Sequence, residues 1–255
     1  MALDEALLES VQSGKSLPTL RLYDWVPATL SLGYAQPMRN VDIDRLKRLG
    51  WGIVRRPTGG RAILHTDEIT YSVTAPIDEP RVAGGVLESY KRLSQALLAS
   101  VEALDVSAVG KEKSSARQRP IEPNPICFEA PSDYEITVDG KKLLGSAQAR
   151  RKEGVLQHGS LPLHGDIGRI AQVLTFSNEE TRERAAERVR GSAATVKNAV
   201  GRIVTWQEAA AAFAQGFSDA LDLELISGEP SQEELESARR WEQEKYANED
   251  WLQRV

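Results

Sequence analysis

Asp139-Gly140 sits between YEITV and KKLLGSAQAR, and no other stretch restricts the fold of this chain so tightly. Asp-Gly between alternating apolar and polar residues is the strongest short signal for a two-residue hairpin, because both central positions need a backbone that Asp and Gly tolerate. Residues 134–138 are therefore expected to run antiparallel to 141–145. The period of two puts Lys141 and Lys142 on opposite faces, so one of them points inward. GVLQHGSLPL (154–163) reads as a third β segment.

More β signal lies upstream. LRLYDW (20–25) and ATLSLG (28–33) read as short strands joined by a Pro-containing turn. WGIVRR, PTGG and RAILH read as strand, tight turn and strand, with Gly59 and Gly60 in the turn, and EITYSVTAP runs on to Pro76. Helices are expected over residues 2–13, where Leu3, Leu7 and Val11 recur every fourth position before Gly14, and over VDIDRLKRLG, closed by Gly50. The longest helical period runs from Val86 through Tyr90, Leu93, Leu97 and Val101 to Leu104. Residues 110–126 carry three prolines and many charges without periodicity, which predicts a long loop.

Beyond residue 163 the pattern turns helical: DIGRIAQVL, a charged stretch from Asn178 to Arg190, then TWQEAAAAFAQGF, opened by a Thr205/Glu208 capping box. A Ser231/Glu234 box opens the last expected helix, through Trp241. There is no internal repeat. Strands early and helices late predict an α+β fold: a mixed, mainly antiparallel sheet flanked by helices, in one domain over 1–255 with a helical C-terminal segment from about 205 to 255.

Composition narrows the function. The single cysteine among 255 residues rules out an internal disulfide framework and a Cys-based zinc site, and points to a reducing compartment, the cytosol. No apolar run approaches the roughly 18 residues of a membrane span, and the acidic start MALDEALLES lacks a secretory pattern, so a soluble protein is expected. A net charge of −5 gives nucleic acid no bulk attraction. Three basic clusters, Arg55/Arg56/Arg61, Lys111/Lys113/Arg117/Arg119 and Arg150/Arg151/Lys152, offer an acidic partner a docking site or are solvated loop charges.

A lone cysteine is most often a small buried filler, but Cys127 follows a polar, Pro-rich segment and is expected to be reachable. The hairpin carries Lys142 back toward the segment that contains Cys127, and an ammonium beside a thiol stabilises the thiolate. On their own, Lys141 and Lys142 read equally as solvated edge-strand lysines. Gly59/Gly60, Gly145 and Gly159, each near Ser, Thr or His, mark breaks able to line one narrow pocket, although turn chemistry alone accounts for the first pair. For His65 and His158 the residues favour structural hydrogen bonding, since nothing nearby in sequence completes a triad. Neither common nucleotide-binding loop occurs, and the histidines lack metal spacing.

RRPTGGRAILH (55–65), ITYSV (69–73), GKKLLGSAQAR (140–150) and LQHGSLPL (156–163) together resemble the biotin/lipoate protein ligase and lipoyl transferase superfamily. CFEAPSDYEITVDGKKLLGSAQ resembles its cysteine-dependent octanoyltransferases, related to lipoate-protein ligase A. The resemblance implies the biotin/lipoate-ligase catalytic fold, Cys127 as nucleophile and Lys142 as the group that lowers its pKa. It implies substrate contacts from Arg56, Thr58, Gly59, Gly60, His65, Tyr71, Gly145, Ser146, Ala147, His158, Gly159 and Ser160. It also implies the reaction: octanoyl passes from acyl carrier protein to a Cys127 thioester and on to a lysine of a lipoyl domain, in glycine cleavage H protein or a 2-oxoacid dehydrogenase E2 subunit. This is the first step of lipoate biosynthesis. No cofactor or metal is implied, the phosphopantetheine-borne thioester being the substrate, and neither nucleic acid nor membrane is a partner. The same residues fit amidotransfer of octanoyl between lipoyl-bearing proteins. Two further readings are an ATP-dependent lipoate ligase with an incidental cysteine and a pseudo-enzyme that only binds lipoyl domains. Family members usually begin with a strand ahead of the helix that starts here at MALDEALL, so the expectation is a truncated chain or a start codon assigned too late, and a missing strand would expose a sheet edge.

Overall fold

EITYSVTAP forms a nine-residue strand whose alternation has an unexpected outcome: both faces are buried. A computed structural model describes residues 1–112 and 134–255. In it β1 (Thr19–Tyr23) and β5 (Glu68–Pro76) lie beside β9 (Gly154–Pro162), β8 (Lys141–Arg150), β7 (Tyr134–Val138) and β6 (Val109–Glu112). They make a six-stranded sheet ordered β1-β5-β9-β8-β7-β6, antiparallel throughout. A second sheet is formed by β2 (Thr29–Leu32), β3 (Gly52–Arg55) and β4 (Ile63–His65), with β2 in the centre, parallel to β3 and antiparallel to β4.

The odd positions of β5, Ile69, Tyr71, Val73 and Ala75, enter a core completed by α3 (Val86–Glu102) and α6 (Trp206–Leu221). Phe213 and Phe217 of α6 meet the Tyr71 ring at 5.9 and 6.1 Å between centroids, and burying three such rings contributes several kcal/mol. The even positions, Glu68, Thr70, Ser72 and Thr74, are polar and equally buried. The small sheet and α1 (Ala2–Gln12) cover them: His65 and Trp25 bond to Glu68 and Thr70, and Asp4 of α1 accepts from Ser72. Behind the small sheet a second core gathers Leu30, Leu32, Leu46, Val173, Leu174 and Val189. It is built with α2 (Ile43–Arg48), the 3-10 segment Ile167–Val173 and α4 (Glu179–Ser192).

Several sequence expectations are corrected. PTGG is not a hairpin turn, because β2 lies between β3 and β4 and pairs with both. The loop expected from residue 110 begins later, since Gly110–Glu112 pair with β7; positions 113–126 lie outside the described residues. DIGRIAQVL winds as 3-10, and the Ser231 box opens a helix that is not the last. After α5 (Val196–Val200) and α6 come α7 (Gln232–Trp241), a π-helical turn Glu242–Tyr246 and α8 (Glu249–Gln253). Both capping boxes form as read, Thr205 with Glu208 and Ser231 with Glu234.

Of the first basic cluster, Arg55 and Arg56 are buried and bond to backbone, so neither is available to dock a partner. In the third, Arg150 donates to the Val82 carbonyl and Arg151 pairs with Glu5. The side chains of the second cluster lie outside the described residues. Among the described residues no helix is long and apolar enough to cross a membrane.

Glu5 shows what ties the C-terminal helices to this body. Its carboxylate is wholly buried and accepts from Arg151 at 2.6 Å, from Lys245 and from the Tyr246 hydroxyl at 3.0 Å. Removing one member of a buried pair typically costs about 3–5 kcal/mol. Arg151 keeps a 37% exposed side chain and can rehydrate, so Glu5→Gln is expected to cost about 2 kcal/mol. Urea unfolding checks this: the midpoint should fall with an unchanged slope.

Candidate functional site

Between the two sheets lies a cavity of about 250 Å³. Its floor comes from β8 and β9, with Lys142, Gly145, Ser146 and Ala147 on one strand and His158, Gly159 and Ser160 on the other. Its opposite wall is the small sheet and the loop after β3: Ser31, Ile63 and His65, then Arg56, Gly60 and Arg61. Tyr23, Trp25 and Thr70 close one side.

Ten of the sequence-derived site residues thus meet in one place: Arg56, Gly60, His65, Lys142, Gly145, Ser146, Ala147, His158, Gly159 and Ser160. Thr58, Gly59 and Tyr71 support that wall without lining it. Thr58 Oγ1 lies 2.7 Å from His158 Nε2, the Gly59 carbonyl accepts from Arg56 at 3.0 Å, and the Tyr71 hydroxyl bonds to Ser146 Oγ at 2.7 Å. Cys127 lies outside the described residues.

Lys142 is the inward lysine, 4% exposed, whereas Lys141 is exposed. The pairing moves from Thr137↔Lys142 to Ile136↔Leu144, so Leu143 is an extra residue in β8. Such a bulge lets Leu143 and Leu144 both enter the core while Lys142 turns to the cavity. The stem of Lys142 passes over Gly145, where an added Cβ would lie 3.3 Å from Cε, and Nζ bonds to Glu135 Oε1 at 2.8 Å. Gly159 is required by close approach: a Cβ there would lie 2.5 Å from the Gly145 carbonyl oxygen and 2.6 Å from the Tyr71 ring.

The two histidines differ. His65 is held by a carboxylate that the sequence reading missed: Nδ1 meets Glu68 Oε1 at 2.6 Å, Nε2 meets Ser31 Oγ at 2.8 Å, and Trp25 stacks on the ring at 4.3 Å. The same Glu68 oxygen accepts from Thr70 and Ser160, and Thr70 accepts from Trp25. His65 is thus hydrogen-bonded at both ring nitrogens, as its residue context favours, and the sequence signal for its carboxylate is HTDE, three residues apart across a turn at Asp67 with φ of 45°. Trp25, Ser31, Arg61 and Thr70 also escaped the sequence reading, because nothing in β-strand periodicity distinguishes a cavity face from a solvent face.

His158 has no such partner among the described residues. Burial pushes its pKa down to about 3, with Asp4 opposing and Arg56 adding to the effect. Its Nδ1 is buried without a hydrogen-bond partner among the described residues. The cavity therefore combines an ammonium, a neutral imidazole and apolar walls from Trp25, Ile63 and Ala147. That suits a flexible apolar chain ending in a polar reacting group. No cluster of described residues is placed to hold a metal ion.

An antiparallel sheet backed by two helices and a small mixed sheet clamped over its polar face make one α+β architecture, with Lys142 in the cavity between the sheets. The chain belongs to the lipoyl protein ligase A/B catalytic-domain family, whose pattern matches residues 1–218. A protein named octanoyltransferase LipM from Lysinibacillus sphaericus is 40% identical over 98% of this chain and 92% of its own length. The bipartite lipoate protein ligase of Thermoplasma acidophilum superposes with a TM-score of 0.79 at 28% identity, over 98% of this chain and 89% of that one. Lipoate-protein ligase A bound with ATP gives 0.76 at 27% identity, over 98% and 91%.

The histidine yields a prediction. With the folded pKa near 3 and an unfolded value near 6.5, the unfolded chain takes up the proton first. Stability from neutral His158 is thus complete above about pH 6.5 and is lost as pH falls toward 3. His158→Gln removes the titration. The advantage of wild type over this variant should shrink below pH 6.5 by up to about 1.4 kcal/mol per pH unit, read from urea midpoints at pH 7, 6, 5 and 4.

Proposed function

We propose that this protein is an octanoyltransferase of protein lipoylation, one catalytic domain over residues 1–255 working by double displacement through Cys127. What supports the reaction is the 40% identity, along nearly the whole chain, to a protein named octanoyltransferase. What supports the assignment of residues is the buried Lys142 in the cavity wall, on the strand hairpinned to the one that follows the cysteine segment.

In the first half-reaction the Cys127 thiolate attacks the octanoyl thioester carbonyl on the phosphopantetheine of acyl carrier protein. The carrier thiolate leaves and takes up a proton, and octanoyl remains as a thioester on Cys127. In the second, the neutral amine of a lipoyl-domain lysine attacks that thioester. An amide forms, the amine releases its proton, and the Cys127 thiolate is restored. Lys142 stabilises the thiolate in its resting and leaving forms. The walls formed by Trp25, Ile63 and Ala147 hold the acyl chain, and Arg56, Thr58, Gly59 and Gly60 shape the loop above it. The acceptor is the lipoyl domain of an H protein or an E2 subunit. The reaction needs no cofactor beyond the pantetheine that arrives with the donor, and it takes place in the cytosol.

Mixing the protein with octanoyl-acyl carrier protein, without ATP or acceptor, tests this by intact-protein mass spectrometry. An octanoyl adduct is expected on wild type, absent from Cys127→Ala and discharged by added lipoyl domain. A wild type that stays unmodified, yet attaches free lipoate when ATP is supplied, would replace the proposal with the ligase reading. For Lys142→Met, the pH profile of thiol alkylation should move upward and the acylation rate near pH 7 should fall by about tenfold or more. An unmoved profile would remove Lys142 from the role.

A further inference from the structure

Arg55 and Arg56 adjoin in sequence but serve different neighbours. Arg56 lines the cavity, while the fully buried Arg55 turns to the far end of the chain. Its Nη1 donates to the carbonyls of Gly33 at 3.0 Å, Tyr34 at 3.2 Å and Gln36 at 2.6 Å. Its Nε and Nη2 donate to the Leu252 carbonyl of α8 at 2.9 and 2.6 Å. Trp251 of α8 donates back to the Arg55 carbonyl at 2.9 Å. One guanidinium thus gathers four carbonyls, three from the 33–36 turn and one from a helix beyond the residues matched by the family pattern.

The 33–36 turn leads on to the cavity. The Tyr34 amide donates to the Thr58 carbonyl at 2.9 Å, and Thr58 holds His158. Gly33 lies flat against Gly60, where a Cβ would fall 1.9 Å from the Gly60 carbonyl oxygen. A shift of the turn therefore displaces either the cavity wall at Gly60 or the hydroxyl that anchors His158.

We propose that Arg55 is a positioning residue for the acyl cavity. It suspends the 33–36 turn, and through it the Thr58–Gly60 wall, from α8, so that the C-terminal helix sets the acyl-chain length the cavity prefers. This rests on the octanoyltransferase reading. A lysine at this position keeps the charge but lacks the planar fork needed to reach four carbonyls at once.

The experiment uses the full-length chain as wild type, Arg55→Lys, Trp251→Phe and the core variant Leu97→Ala. It compares kcat/KM for hexanoyl-, octanoyl- and decanoyl-acyl carrier protein. Arg55→Lys should change the octanoyl-to-decanoyl ratio by roughly fivefold or more, of the order that one or two methylenes contribute to a fitted pocket. Trp251→Phe should move it the same way by less. Leu97→Ala, in the core on the far side of the large sheet, should lower the melting temperature with the ratio intact, which separates positioning from general loosening. A wild-type ratio in Arg55→Lys overturns the proposal, and should that variant fail to fold, an unmoved ratio in Trp251→Phe does so. Wild type inactive with every acyl carrier protein would instead defeat the octanoyltransferase reading. Hydrogen exchange then decides the clasp alone: faster exchange at the Tyr34 and Arg56 amides in Arg55→Lys or Trp251→Phe supports it, and unchanged exchange overturns it.

Discussion

Everything around the cavity follows from burying a polar sheet face. Glu68, Thr70 and Ser72 on β5, with His158 and Ser160 on β9, are all removed from water. A buried polar group left unmatched costs about 1–3 kcal/mol, so the covering layer must itself be polar and placed within hydrogen-bond reach. Asp4 meets Ser72, Trp25 meets Thr70, Thr58 meets His158, and Ser31 with Glu68 brackets His65. The bonds fix how the small sheet and α1 sit on the large one, and the cavity is the space that the docking leaves. The unmatched Nδ1 of His158 stands out because its neighbours on this face are matched; Thr74 Oγ1 is the other exception on these two strands among the described residues.

The same constraint separates what was legible in the sequence from what was not. Local chemistry was readable: the Asp139-Gly140 turn, the caps at Thr205 and Ser231, and the apolar stripe of α3 all form where their residues put them. Each depends on neighbours a few positions away. Pairing partners were not readable at 52–65, because the decision to place β2 between β3 and β4 is made by Leu30 and Leu32 entering the second core, not by the PTGG turn. Nor could alternation in EITYSVTAP show that its polar side faces another layer instead of solvent. For the site, motif likeness brought ten residues to one cavity, while Glu68 and Trp25 became visible only when the two sheets were stacked.

The arginine pair shows how residue type alone misleads. Two adjacent guanidinium groups on an acidic chain suggest a docking patch, yet each is consumed by main-chain carbonyls, Arg56 by those of Ser31, Gly59 and Arg61 and Arg55 by those of the 33–36 turn and α8. Arginine suits this use because its fixed planar fork serves several acceptors at once, and a delocalised charge is less costly to bury than an ammonium. A segment with Gly33, Gly59 and Gly60 has little side-chain packing of its own. Its shape is set instead by donors reaching in from β3.

Lys142 presents the complementary problem. An ammonium 4% exposed needs compensation, and Glu135 provides it across the hairpin at 2.8 Å. That carboxylate also opposes the field the ammonium exerts on any thiolate nearby, so the pair is a compromise between holding the lysine inside and leaving it effective. The bulge at Leu143 is what makes the compromise workable: it seats two leucines in the core and frees Lys142 to face the cavity within reach of its carboxylate. A regular strand would have forced a choice between the core and the site.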